Sequence, residues 1–326
     1  MVTRADIGTY LAEVGSNKEV DTTVTHLQRH GWLVPVHIKG VWAYLPPGEE
    51  EITDRYIDLR AWRARDPDAV FALAGEAAAW HMGYLDREFY GPLAIWLPTE
   101  TRTPFGLRQR VSEVKLGWSA GEIKQLLPSS LLLHQRHLDL TQWSGGIPAF
   151  GPEALVVQLS TRVKSFRSWA DLIPHIEELA SDIDTERLSI LLSGKSQSAW
   201  QRAGYLLDRG GRHDDGLRLL NGRPRPRMAD VVFGDGEHAV WVSQFQIVDR
   251  LIAPLQRQLG KACQACEAVR RTERRASIGE MARQAQDLSL YERTPEEYER
   301  ALVEARRRES VLTLPRLDNG KASQEQ

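Results

Sequence analysis

The stretch from Asp21 to Pro47 places the tightest limits on the fold. Asp21 is positioned to cap a helix whose apolar side is Val24 and Leu27, with Thr22, Thr25, His26 and Arg29 facing outward. Gly31 falls where a helix ends in the left-handed conformation, which a residue without a side chain adopts at little cost. Two β-branched and aromatic runs follow, Trp32 to His37 and Val41 to Leu45, around a turn at Lys39-Gly40, and Pro46-Pro47-Gly48 ends the second. Runs of that kind about a glycine turn predict a hairpin. Helix then hairpin is the second half of a winged helix-turn-helix, in which the helix enters the major groove and the ribbon tip touches the phosphate backbone. The same pattern also fits a structural helix packed on a two-stranded ribbon. Charge does not separate the two readings, because Lys18, Arg29 and Lys39 are offset by Glu13, Glu19 and Asp21.

Upstream, Thr3 is a helix cap, and Ile7, Tyr10, Leu11 and Val14 follow at spacings of three and four, predicting one short helix before Gly15. Helix, turn, helix and ribbon are therefore expected over residues 1–48. A winged helix normally has a further helix in front; it is expected to be missing here, being either dispensable or encoded upstream of this start.

The length of 326 residues leaves room for two or three domains, and 42% hydrophobic content suits buried cores. With Lys+Arg 42 against Asp+Glu 44, no global charge excess points to nucleic acid or an anionic membrane. Two cysteines cannot make a disulfide framework, and neither a signal peptide nor a membrane span is legible, so a soluble, cytoplasmic protein is expected.

Residues 49–150 read as an α+β unit: a helix over Asp54–Arg65 with Tyr56, Leu59 and Trp62, then a strand at Val70–Leu73. A small-residue helix over Gly75–Met82 follows, and then strands at Leu93–Leu97, Val111–Leu116 and Leu131–Leu140. From Gly151 the character turns helical, with helices over Ala154–Leu159, Trp169–Ala180, Thr185–Leu192 and Ala199–Leu207. A polar loop then leads to a hairpin of Val231–Phe233 with Ala239–Val242, and a helix from about Gln246. Residues 262–310 read as charged, exposed helices, one opened by the Thr294-Pro295-Glu296-Glu297 capping box, and 311–326 as a disordered tail.

Catalytic and metal motifs are weak throughout. Gly194-Lys195-Ser196 has Ser189 where a phosphate-binding loop needs glycine, and reads as an inter-helix turn. Cys263-Gln264-Ala265-Cys266 has no second pair, and is read as exposed helical cysteines. His26 and His30 have no third ligand nearby in sequence, and His134 and His137 would point to opposite faces of a strand. No enzyme, catalytic residue, metal or cofactor is expected.

Four segments in order carry a family resemblance. Leu27–Val34 with Lys39–Gly48 resembles the wing of AbiEi-type antitoxins, and Ala74–Arg87, Gly151–Gln158 and Ser198–Asp208 are similar to later parts of that family. The resemblance covers residues ~1–261 and implies the antitoxin half of a type IV toxin–antitoxin pair whose toxin is nucleotidyltransferase-like. It implies a winged-helix N-terminus (1–48) that represses its own operon and an α+β antitoxin region (49–261), within which the change of character at Gly151 suggests a break near 150; residues 262–326 lie outside the recognised pattern and are assigned no role. Carried over to this sequence, Thr22, Thr25, His26 and Arg29 would face the groove and Lys39 the wing tip. The expected partners are operator DNA, the cognate toxin and a homo-oligomer. The alternative is a winged helix that does not bind DNA, with function residing in direct toxin binding by residues ~150–260.

Overall fold

The computed structural model describes residues 1–45, 51–52, 54–119, 121, 147–225 and 227–259. It divides into units Met1–Gln258 and Leu259–Gln326, and the architecture described below belongs to the first. The predicted strand at Leu131–Leu140, the histidines at 134 and 137, the Cys263/Cys266 pair and the Thr294 capping box lie outside the described residues.

The chain opens with a strand that sequence reading missed, β1 (Val2–Thr3), which leads straight into α1 (Arg4–Glu13). Thr3 serves both elements. Its hydroxyl accepts from the Asp6 amide at 3.1 Å while its own amide donates to the Asp6 carboxylate at 2.7 Å, a reciprocal cap. After a turn at Gly15 comes α2 (Val20–Arg29), then β2 (Leu33–Pro35) and β3 (Val41–Tyr44). β3 is the middle strand, antiparallel to both neighbours, with Leu33 opposite Tyr44 and Val2 opposite Trp42. Ile7, Leu11, Val24 and Leu33 form the small core between helices and sheet.

Two details differ from expectation. Asp21 does not cap α2: Glu19 holds the cap position without a side-chain bond, and Asp21 in the first turn instead pairs with Arg4 through both carboxylate oxygens. Tyr10 and Val14 do not reach the core either, being 62% and 55% exposed. Only the Ile7–Leu11 stripe of α1 turns toward α2 and the sheet, which leaves these two on the outer side.

The next helix, α3 (Ile57–Arg65), begins three residues later than Asp54. Asp54 is buried before it, accepting from the Tyr56 amide at 2.8 Å and from Arg60 Nε at 2.6 Å. A buried carboxylate requires such partners to offset its desolvation. The second sheet holds β4 (Ala72–Leu73), β5 (Leu93–Trp96) and β6 (Val111–Val114), with β5 central, antiparallel to β4 and parallel to β6. All four β5 residues are buried, as suits a strand covered on both faces. α4 (Gly75–Met82) lies against it, its fully buried Ala77, Ala78 and Ala79 permitting close approach to α5 (Pro152–Thr161).

α5 is the hub of the helical part, which adds α6 (Trp169–Leu172), α7 (Ile176–Ser181), α8 (Thr185–Leu192), α9 (Gln197–Arg209) and α10 (His213–Leu219). The predicted helix at 169–180 is broken by a 3-10 turn over Ile173–His175, where Pro174 removes a donor. α10 occupies part of the predicted polar loop. Gly194-Lys195-Ser196 is indeed the turn between α8 and α9, with Lys195 Nζ donating to the Leu116 carbonyl.

The third sheet corrects the predicted hairpin. β7 (Val231–Phe233) and β8 (Val240–Val242) do not pair; β9 (Ile247–Asp249) runs between them, parallel to β7 and antiparallel to β8. A turn over 243–246, with Gln246 at φ 48, reverses the chain into β9, so Gln246 does not open a helix. Asp249 delays the helix to Ile252, accepting from the amides of Leu251, Ile252 and Ala253 at 2.8, 2.9 and 2.6 Å. It also accepts from the Tyr205 hydroxyl at 2.7 Å; burial first, and then the Asp249 carboxylate, push the Tyr205 phenol well above its ordinary range.

Candidate nucleic-acid interface

Apolar spacing on α2 buries Val24 and half-buries Leu27, so the positions between them must face away from the core. Thr22, Thr25, His26 and Arg29 are all exposed there, at i, i+3, i+4 and i+7 along one face. The Thr25 hydroxyl donates back to the Asp21 carbonyl at 2.8 Å, which holds its rotamer and leaves oxygen lone pairs outward. Gly31, at φ 73, ends the helix, and the Trp32 amide closes the motif on the Leu27 carbonyl at 3.0 Å.

Charge along α2 is polarised. Glu19 and Asp21 surround its N-terminus, where they complement the helix dipole but oppose a phosphate. The hydrogen bond and charge of Asp21 raise the Arg4 guanidinium further above its ordinary range. His26 and Arg29 lie in the last turn, continued by His30 and the half-exposed Trp32. The His26 and His30 rings meet edge to face with centroids 4.4 Å apart, and His30 lies 6.5 Å from Trp32. The cationic and aromatic end of the helix is therefore its C-terminal end. Over residues 1–45, Arg4, Lys18, Arg29 and Lys39 balance Asp6, Glu13, Glu19 and Asp21, so attraction to a polyanion has to come from this local segregation.

Lys39 is exposed on the ribbon loop, a different element from the other four candidates. The loop around it is not free-standing. Ile38 is buried in the main core together with Val41, next to Tyr56 and Leu59. The His37 amide donates to Asp58 Oδ1 at 3.0 Å, and the His37 ring places Nδ1 3.0 Å from the same oxygen. Arg110 donates to His37 Nε2 at 3.2 Å and to Asp58 Oδ2 at 3.0 Å. Nε2 can accept only in the tautomer that carries its hydrogen on Nδ1, the nitrogen facing Asp58. Gly106 closes the contact: a Cβ there would stand 1.8 Å from the His37 carbonyl oxygen, a separation that backbone cannot yield to cheaply.

This clamp of His37, Asp58, Gly106 and Arg110 was not legible in the sequence. Asp58 reads as one polar position of a helix, and Gly106 and Arg110 as loop residues. Among the described residues no group of histidines, cysteines and carboxylates is arranged to hold a metal, and no helix is long and apolar enough to cross a membrane.

Comparison with known proteins supplies the family. The profile for the AbiEi antitoxin C-terminal domain matches residues 69–209, from just before β4 to the end of α9. A crystal structure of the RV2827C protein from Mycobacterium tuberculosis is similar at 46% identity and a TM-score of 0.69, over 79% of this chain and 89% of that chain. No curated protein matches. With residues 69–209 of its central region matched by that profile, the chain belongs to the AbiEi antitoxin family.

Proposed function

We propose that this antitoxin binds operator DNA of its own operon through residues 1–45, acting as a transcriptional autorepressor in the manner of a winged helix-turn-helix. We further propose that its body counters a nucleotidyltransferase-like toxin in the cytoplasm, without a catalytic step of its own. The observation that carries the DNA reading is the outward face of α2, where Thr22, Thr25, His26 and Arg29 stand clear of the core. The order helix, turn, helix and ribbon supports the same reading.

The division of labour follows from side-chain chemistry. Arg29, cationic and at the positive end of the surface, contacts a base edge or a phosphate. Thr22 offers its hydroxyl to a phosphate oxygen, Thr25 does so by turning its hydroxyl away from the Asp21 carbonyl, His26 adds an imidazole donor, and Lys39 on the ribbon loop meets the backbone as a point charge.

The test is a titration of the intact chain against its own upstream DNA, with Arg29→Ala alongside, at two salt concentrations. Arg29→Ala should cost about 1–3 kcal/mol of operator affinity if Arg29 reads a base. The logarithm of the binding constant should fall with log salt by roughly 0.9 per phosphate neutralised. Unchanged affinity in Arg29→Ala removes that residue from the site, and no salt-sensitive, sequence-selective binding at all ends the autorepressor reading.

A further inference from the structure

A cleft of about 350 Å³ shares Asp58 and Arg110 with the ribbon clamp. Leu59, Leu93 and Leu107 give it an apolar floor, and Arg55 stands at its edge. Arg55 is fixed there, donating to the Phe89 and Gly91 carbonyls at 2.7 and 2.6 Å with its guanidinium 4.1 Å from the Phe89 ring centroid.

The residues beside the cleft carry an unusual surface. Tyr90, directly before the lining Gly91, is 96% exposed, and Phe105, two residues before the lining Leu107, is 86% exposed. Between Thr101 and Arg110 the chain presents Arg102, Arg108 and Arg110, all exposed, and no acidic residue. Acidic groups nearby are already engaged: Asp58 with His37 and Arg110, Glu88 with Arg55, Glu100 with the Thr99 hydroxyl, and Glu113 with Thr103 and Lys115. Thr103 and Lys115 hold the Glu113 carboxyl below its ordinary range, the hydroxyl contributing most. At the cleft itself the lining Arg55 and Arg110, with exposed Arg108 beside them, meet the committed carboxylates Asp58 and Glu88, leaving a positive surplus at a hydrophobic cleft.

We infer that this cleft is a docking site for an acidic segment of a protein partner. An apolar side chain of that segment fills the floor, Tyr90 and Phe105 close over it, and its carboxylates meet Arg108 and Arg110. Exposed Tyr and Arg around a desolvated apolar centre are the groups that dominate protein interfaces, and the surplus charge selects an acidic occupant. A carboxylate on Arg110 competes with His37 and Asp58 for the same guanidinium, so occupancy loosens the ribbon tip held by Arg110. The inference does not depend on operator binding.

The test uses the intact chain and a fluorescein-labelled peptide of about twelve alternating Glu and Leu residues, followed by polarisation. A Lys/Leu peptide and an oligothymidylate of equal length serve as rivals. Saturable binding of the acidic peptide is expected, roughly tenfold or more weaker in the Phe105→Ser/Arg108→Glu double variant, which alters two exposed side chains only. Peptide binding should also speed hydrogen exchange at the Val41 amide. No saturable binding, equal binding by the variant, or preference for either rival overturns the inference. Operator titration of the same samples keeps the two proposals apart: peptide binding lost with operator binding intact sinks this inference alone, and the reverse sinks only the repressor.

Discussion

The N-terminal module and the antitoxin body are built on different scales. Residues 1–45 close upon Ile7, Leu11, Val24 and Leu33, with partly buried Val2, Val20, Leu27 and Trp42 around them. The body has a continuous core that runs from Tyr56 through β5, α5 and α9 to Ile252. A unit of about 45 residues buries too little surface to be stable without a staple. Here the ribbon lends its tip to its neighbour: Ile38 and Val41 belong to the body's core, and His37 is held by Asp58 and Arg110. The surface proposed to read DNA is thus carried by the part with little core of its own, and the clamp ties its ribbon to the part that the family profile covers.

The largest effect that sharpens this contrast lies in the body. Asp249 is fully buried, and Asp249→Ala removes a helix cap worth ~1–2 kcal/mol and leaves the Tyr205 hydroxyl unsatisfied at ~1–2 more. Urea unfolding should show a loss of about 3 kcal/mol, with Tyr205→Phe losing about 1. Next comes Ile38→Ala, expected to cost about 2–4 kcal/mol because the side chain is buried in the main core. If the ribbon were an independent wing, that substitution would instead be nearly neutral in urea unfolding.

Gly106→Ala follows at about 1–3 kcal/mol, the cost of forcing a methyl group against the His37 carbonyl. The smallest effect is a pH dependence at His175. Burial acts to lower its pKa, but Glu178 and Asp86 together raise it above the ordinary 6.5. A raised folded-state value means the contribution is fully present below about pH 6.5 and is lost as pH rises through the shifted value. Both carboxylates are largely exposed, so Glu178→Gln should remove no more than about 0.5 kcal/mol, and only on the acid side of that window.

Local signals were readable and distant ones were not. The bounds of α4 and α8 follow from nearby glycines, a helix-capping aspartate and short apolar spacing, all contained within the element. Gly31 and the β2–β3 ribbon were legible for the same reason. Tyr10 and Val14 had helical spacing but misled, because periodicity gives a face and not the width of what covers it. β9 was misread as helix since its partners β7 and β8 are set by pairing, and Asp249 looks like any polar residue until its amide partners are seen. Of the candidate site, the outward face of α2 could be read from its own spacing. The clamp beneath Lys39 could not, for His37 meets Asp58 across 21 residues and Arg110 across 73.

That the body holds the ribbon in place is tested most directly by hydrogen exchange on the intact chain, wild type against Gly106→Ala. The Val41 amide, which donates to the Ile38 carbonyl at 3.2 Å, should exchange faster in the variant. Amides within α2, such as His26 and Gln28, should keep their wild-type protection. Unchanged exchange at Val41 in a folded Gly106→Ala protein would contradict the account, and would make the N-terminal module independent of the body.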